Sequence, residues 1–243
     1  MKSMQLLLAG IAIVASAACN AEKGAANSDA PITAVAPPQG GDWSKMVTKT
    51  AEGGYLMGNP NADVKLVEFG SMTCPHCREF AEQGFGTLTE KYVKSGRVSY
   101  EFRNYVRDGL DLAMSVVARC GPVDRFYPMT DALFKSQSEL FEKVQSASPE
   151  QQQSLGQTPQ GLAQLAGLSQ WAAQRGLPSA RTNACLANQN EANQLVQMNT
   201  DANTQYPEFQ GTPGFVINGK YLKDTATWEK LEPQLRAAIG ERG

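Results

Sequence analysis

The sequence predicts an α/β fold in which a block of helices separates a strand–helix–strand unit from a closing strand–strand–helix unit. Residues 64–69 and 97–106 have the apolar, β-branched patterns of strands, and residues 72–95 between them have helical spacing. Residues 108–202 are helical in pattern almost throughout. Residues 203–243 return to strands and end in one amphipathic helix.

The first unit predicts a parallel pair of strands joined by a helix. Val64 to Phe69 is apolar enough for a buried strand, and the helical segment after it ends at Gly96, a natural stop. The second strand alternates, with Val98 and Tyr100 on one face. Two strands joined through a helix indicate a βαβ unit.

The middle of the chain predicts several helices separated by proline and glycine. The segment 146–160 is polar and rich in glutamine, so we expect a loop or a frayed connection there. The predicted helices are 110–120, 124–143, 159–175 and 180–202.

The end of the chain predicts a hairpin and a closing helix. Asn218-Gly219 readily takes the positive φ angles of a type I′ turn between residues 215–217 and 220–222. The whole order is that of a thioredoxin-like fold with an all-helical insertion. We therefore expect a thioredoxin-like domain over 49–107 and 203–243, and a helical domain over 108–202.

Composition excludes some classes of function. The 243 residues are 42% apolar and 19% charged with a formal net charge of −2, as in ordinary globular proteins. No basic stretch is long enough to indicate nucleic-acid binding or a polybasic membrane patch.

The N-terminus predicts export. Lys2, an apolar run and small residues up to Ala18 follow the plan of a signal peptide over 1–18. Cys19 resembles a bacterial lipobox cysteine, so lipidation there is one expectation. Ordinary cleavage after an Ala-x-Ala motif is the alternative. Residues 19–48 are small and polar and predict a flexible tether.

A pair of cysteines carries the chemistry. Cys74-Pro75-His76-Cys77 follows the first strand and begins the first helix. A helix N-terminus favours an anion, so the thiol pKa of Cys74 is expected to fall, and Cys77 can attack a mixed disulfide on Cys74. Pro75 suits an early helical position because its missing N–H costs little there.

His76, the one histidine of the chain, is expected to stabilise the Cys74 thiolate and so to make the disulfide more oxidising. The same motif could instead form a structural disulfide or half of a zinc site. No second cluster at ligand spacing supports zinc, so we expect neither a metal nor another cofactor.

The segment from Val67 through Cys77 resembles the active site of DsbA-family thiol oxidases, and the resemblance extends from about residue 55 to the C-terminus. It implies that Glu68, on the same strand face as Val64 and Leu66, is a buried acid that relays a proton to or from the second thiol. Burial should raise its pKa. An acid exposed at the strand end is the alternative.

The resemblance also implies a substrate-binding loop and a structural disulfide. Thr212-Pro213 matches the cis-proline that faces the cysteine pair in thioredoxin-like folds, where the backbone of Thr212 can pair with an extended substrate. A trans turn proline is the alternative. Cys120 and Cys185 match a second disulfide of some DsbA relatives, and two free thiols are the alternative.

The predicted function is donation of disulfides to reduced exported proteins in the periplasm, with a DsbB-like membrane oxidase restoring the pair. Many DsbA relatives have valine before the cis-proline, whereas Thr212 is more typical of isomerases and reductases. An isomerase or reductase is therefore one alternative, although the residues before the domain are too few and too polar for a dimerisation domain. A non-catalytic binding module of the same fold is the second alternative.

Overall fold

The computed structural model describes residues 31–241, which form a six-stranded sheet with helices packed against it. The strands are β1 (Val47–Lys49), β2 (Tyr55–Met57), β3 (Val64–Gly70), β4 (Val98–Asn104), β5 (Gly214–Ile217) and β6 (Lys220–Tyr221). Their order in the sheet is β1-β2-β4-β3-β5-β6. Only β3 and β4 pair in parallel, with Val64 opposite Val98, so the predicted βαβ unit is confirmed.

Eleven α-helices lie within the described residues. They are α1 (Pro75–Gln83), α2 (Phe85–Thr87), α3 (Gly109–Arg119), α4 (Phe126–Lys135), α5 (Gln137–Gln145), α6 (Pro149–Leu155), α7 (Pro159–Leu165), α8 (Leu168–Ala173), α9 (Ser179–Leu186), α10 (Gln189–Gln205) and α11 (Trp228–Ala238). A π-helical turn, Leu88–Val93, continues α2. The thioredoxin-like order with a helical insertion is thus confirmed. No helix in this part of the chain is both long and apolar enough to cross a membrane.

The core explains how the two domains hold together. Buried side chains from β3, β4 and β5 form one continuous apolar cluster with those of α1, α3, α4 and α11. Tyr55 of β2 stacks on Phe126 of α4, with ring centroids 3.8 Å apart. The helical domain therefore shares its core with the sheet, so residues of that domain can reach the site at the end of β3.

Residues 31–48, predicted to belong to a flexible tether, pack against the fold instead. Trp43 is buried, and its indole N–H donates to the carbonyl of Val35 at 2.8 Å. The backbone N–H of Ile32 donates to the carbonyl of Ile239 at 2.9 Å. The tether prediction is wrong for these residues because a few apolar side chains among the small polar ones dock onto the core. Residues 19–30, with the rest of the tether and Cys19, and the signal peptide at 1–18 lie outside the described residues.

One predicted loop is a helix. Helix α6 occupies the segment expected to be a loop or a frayed connection. Ser148 accepts a hydrogen bond from the backbone N–H of Gln151, whose side chain reaches back to the N–H of Ser148. This reciprocal capping, together with Pro149 at the first helical position, stabilises a short helix despite its polar composition.

Candidate active site

The two cysteines of the motif lie at the junction between β3 and α1. Cys74 is the N-cap of α1, with extended backbone, and Pro75 is the first helical residue. Both cysteines are free thiols, and both are buried, Cys74 with 2% and Cys77 with none of its surface exposed. Cys77 lies inside the first helical turn, whereas Cys74 stands at the N-terminal end of the helix.

The surroundings of Cys74 favour its thiolate. Its pKa falls to about 5, mainly because the thiol of Cys77 donates a hydrogen bond to it. Burial opposes this shift, whereas the Thr212 side chain and the backbone N–H groups of Cys77 and His76 add to it. Free N–H groups at a helix start are what an anion requires, so the expected direction of the shift agrees with this geometry.

Cys77 is shifted the other way. Its pKa rises well above that of an ordinary thiol, chiefly because it is buried, and because it donates its proton toward Cys74. Glu68 also raises it through charge repulsion, whereas a backbone contact from Ser71, whose N–H lies 3.5 Å from Cys77 Sγ, lowers it. One pair of thiols three residues apart therefore holds one thiolate and one thiol over a wide pH range.

The imidazole of His76 points away from this pair. Its side chain is 67% exposed, and Nδ1 lies 3.4 Å from Oε2 of Glu79, one turn further along α1. The His76 backbone N–H, rather than the ring, contributes to the lowered pKa of Cys74. The expected contact between ring and thiolate is thus not made in this arrangement, because the outward ring is solvated and has an acidic neighbour on its own helix.

Glu68 lies beneath the pair, on β3. It is 1% exposed, and its Oε2 accepts a hydrogen bond of 2.5 Å from the hydroxyl of Tyr100 on β4. Burial raises the pKa of Glu68 to about 8 against the lowering effect of that hydrogen bond. The exposed alternative does not hold, and a neutral carboxylic acid at pH 7 can donate a proton toward Cys77.

Thr212 and Pro213 face the pair from the loop before β5. The peptide bond between them is cis, and Pro213 is buried. The thiol of Cys74 donates to the Thr212 carbonyl at 3.1 Å. Antiparallel pairing of β5 with β3 brings the loop to Cys74, since Phe69 lies opposite Gly214.

Cys120 and Cys185 form a disulfide with an S–S distance of 2.03 Å. The bond joins the C-terminal end of α3 to α9 and closes 65 residues of the helical domain. It uses sulfur atoms separate from the Cys74–Cys77 pair. No group of three or more metal-ligating side chains occurs among residues 31–241.

Three polar residues of the site were not predicted from the sequence. Tyr100 was assigned only to a strand face, and Asp111 and Gln137 only to helices. All three are buried, and they contact Glu68 or the segment before the cysteine motif. Their partners lie 32 to 65 residues away along the chain, so no local pattern could have identified them.

The architecture and site define a thioredoxin-fold protein with a helical insertion. Residues 50–237 match the family model described as Thioredoxin, and the chain belongs to that family. A solved protein-disulfide isomerase from Novosphingobium aromaticivorans is 32% identical, with a TM-score of 0.71 over 76% of this chain and 96% of that one. Wolbachia pipientis α-DsbA1, at 21% identity and a TM-score of 0.62 over 76% of this chain and 90% of that one, has the same fold.

Curated relatives are more distant. A Rickettsia bellii protein named "Putative protein-disulfide oxidoreductase" is 28% identical over 72% of this chain, which spans only 61% of that relative. Disulfide bond formation protein D of Bacillus subtilis is 25% identical over 77% of this chain and 78% of its own length. The resemblance to DsbA-type proteins inferred from the motif is confirmed by these matches.

Proposed function

We propose that this protein is a thiol–disulfide oxidoreductase that donates disulfides to reduced exported proteins through Cys74 and Cys77. The observation that carries the proposal is the placement of two free thiols at the start of α1, facing the cis bond before Pro213. This placement lowers the pKa of Cys74 and raises that of Cys77. A stabilised Cys74 thiolate favours the reduced pair, which makes the disulfide form a stronger oxidant. The names of the relatives support the same class of reaction.

The first step is attack on the Cys74–Cys77 disulfide. A substrate thiolate donates its electron pair to Cys74 Sγ, the S–S bond breaks, and Cys77 leaves with the bonding pair. Because a Cys77 thiolate is strongly disfavoured where it is buried, it takes up a proton. Neutral Glu68, which interacts electrostatically with Cys77, is the group we assign to supply that proton.

The second step releases the substrate. A second substrate thiolate attacks the substrate sulfur of the mixed disulfide, and Cys74 leaves as a thiolate. The low pKa of Cys74 makes it a good leaving group. The substrate has then lost two electrons and gained a disulfide, and Cys74 and Cys77 hold those electrons until a DsbB-like membrane oxidase removes them.

Reduction or isomerisation of disulfides is the second candidate. Thr212 precedes the cis-proline, and the Novosphingobium relative is named a protein-disulfide isomerase. These enzymes use the same pair of cysteines but work from the reduced form. The two candidates therefore differ in reduction potential rather than in the residues that react.

Equilibration with glutathione buffers separates them. We expect a potential clearly less negative than that of thioredoxin, about −270 mV, together with stoichiometric oxidation of a reduced, unfolded protein that has several cysteines. Cys74→Ser should abolish this transfer, and Cys77→Ser should trap the mixed disulfide. A potential near that of thioredoxin, with efficient rescue of scrambled disulfides, would favour the second candidate.

Export to the periplasm and a lipid anchor at Cys19 complete the proposal. The signal-like N-terminus and the small residues before Cys19 support it. If Cys19 carries lipid, Cys19→Ser should move the protein from the membrane fraction to the soluble periplasmic fraction. Equal fractionation of parent and variant, with a mature N-terminus before Cys19, would indicate ordinary cleavage.

A further inference from the structure

Asp111 is a buried carboxyl of the helical domain near the active site. It lies on α3 with none of its surface exposed. Its Oδ1 accepts hydrogen bonds from Met72 N at 2.8 Å and Ser115 Oγ at 3.3 Å. Its Oδ2 accepts from Ser71 Oγ at 2.5 Å and Arg107 N at 2.9 Å. Four donors therefore converge on one carboxylate, and two of them belong to the segment that precedes the cysteine motif.

Gln137, the first residue of α5, contacts the same segment at its carbonyl groups. It is 2% exposed, and its Nε2 donates to the carbonyl of Met72 at 2.8 Å and to the carbonyl of Cys74 at 3.1 Å. Both hydrogens of the amide are thus used on the active-site segment. Asp111 accepts from this segment and Gln137 donates to it, so their roles are complementary.

Further hydrogen bonds also hold this segment: Thr73 Oγ1 donates to Asp108 Oδ2 at 2.8 Å, and the Cys74 N–H donates to the Ser71 carbonyl at 3.2 Å. The last β3 residue is Gly70, and Ser71 to Cys74 run from there to α1 outside the sheet ladder. Both the N–H and the C=O of Met72 are bonded to the helical domain. The same segment presents the Ser71 N–H to Cys77 Sγ and fixes the backbone from which the Cys74 side chain extends.

We propose that Asp111 and Gln137 are positioning residues through which the inserted helical domain sets the thiol chemistry of the pair. This inference rests on the proposed function, because it concerns the reactivity of the same two cysteines. Cys74 extends from this segment, and the Ser71 N–H of the same segment lies 3.5 Å from Cys77 Sγ, so the segment sets the position of one sulfur relative to the other. Without its hydrogen bonds to Asp111 or to Gln137, the segment loses that alignment. The Cys77 thiol then stabilises the Cys74 thiolate less than in the parent.

Two variants with different charge changes test this. Asp111→Asn removes a carboxyl whose pKa burial raises to about 6 and places N–H donors against other donors, whereas Gln137→Met leaves that carboxyl in place and removes both hydrogen bonds. In each, Cys74 in the reduced protein should show about threefold less thiolate below its pKa, a rise of about half a unit. Thiolate absorbance against pH gives this value without an activity assay.

Two controls separate positioning from loss of stability or charge. Thr182→Val removes a buried hydroxyl of the same domain whose hydrogen bond goes to Pro178. Asp201→Asn removes an exposed carboxylate of α10. Both controls should retain the parent titration of Cys74, whatever their melting temperatures.

Three other results would contradict the inference or the proposed function. If Asp111→Asn and Gln137→Met melt earlier but titrate like the parent, their role is structural only and the inference is overturned. If Gln137→Met titrates like the parent while Asp111→Asn lowers the pKa of Cys74, the positioning role fails. A parent Cys74 that titrates as an ordinary thiol, near 9.0, would instead overturn the proposed function itself.

Discussion

Cys74 and Cys77 are the same chemical group three residues apart, yet their surroundings move their pKa values in opposite directions. The groups that lower the pKa of Cys74 are a thiol, a loop side chain and two backbone N–H groups. Of these, only the Thr212 side chain and the Cys77 thiol depend on residue type. The helix start itself therefore supplies part of the stabilisation whatever residue stands at position 76.

His76→Ala tests how much of the stabilisation of the Cys74 thiolate comes from the imidazole and how much from the start of the helix. The backbone N–H groups and Cys77 remain in the variant, and the ring that is lost contacts Glu79. Because the ring does not contact the thiolate, we expect the pKa of Cys74 to stay below about 7, midway between the ordinary 9.0 and the value of about 5. Alkylation rate of the reduced protein against pH measures it.

Glu79→Gln is the matched control, because it frees the imidazole without removing it. If ring and thiolate meet only when Glu79 releases the ring, the control should lower the pKa of Cys74 further. A His76→Ala variant whose Cys74 titrates near 9.0 would show instead that the imidazole dominates and that the helix start contributes little.

The sequence identified those site residues whose positions follow from the local order of the chain. Cys74 at the start of the helix after a strand and Pro213 before a hairpin are examples. It assigned the histidine an interaction with the thiolate that the ring does not make, since residue order does not define a rotamer. Asp111 and Gln137 were not identified, because their roles arise only when helices distant in sequence pack beside the motif.

At the scale of elements, apolar periodicity predicted which segments are helical better than where helices break. The predicted helix 159–175 is two helices separated at Gly167, which has a φ of 66° and leaves the helical conformation. The segment 72–95 becomes α1, α2 and a π-helical turn with a break at Gly84. These breaks leave the apolar face intact, so periodicity alone does not reveal them.

At the edge of the sheet, the sequence did not predict a strand that the structure contains. Strand β1 has three residues, all partly or fully exposed, and its antiparallel pairing with β2 adds a strand that begins before the predicted domain boundary. So short a strand has no alternation to detect. Its place follows from the docking of Trp43 and from pairing along β2, both of which are tertiary interactions.

At the scale of the whole molecule, the proposed proton donor lowers the stability of the fold at neutral and alkaline pH. Glu68 has a pKa of about 8 in the folded protein, against an ordinary 4.5. Between these values the unfolded chain ionises Glu68 and the folded protein does not. Its contribution to stability is therefore complete below pH 4.5 and is lost as the pH rises through 8.

Glu68→Gln should remove this dependence, since glutamine keeps an acceptor for Tyr100 but does not titrate. We expect the free energy of unfolding of the variant to exceed that of the parent by a few kcal/mol at pH 8, because each pKa unit corresponds to about 1.4 kcal/mol. At pH 4.5 the difference should be small. Urea unfolding at both pH values measures it, and exposed Glu90→Gln is the control.

The oxidised protein is the form to use for that measurement. In the reduced protein Cys74 contributes in the opposite sense: its pKa of about 5 lies below the ordinary 9.0, so its contribution is present above pH 9 and is lost as the pH falls through 5. The two effects partly cancel in the reduced form and separate in the oxidised form, which has no titrating thiol at the site.

The same Glu68→Gln variant should oxidise reduced substrate more slowly if Glu68 supplies the proton to Cys77. Parallel pH curves for parent and variant would refute the raised pKa, and an unchanged oxidation rate would refute the proton transfer.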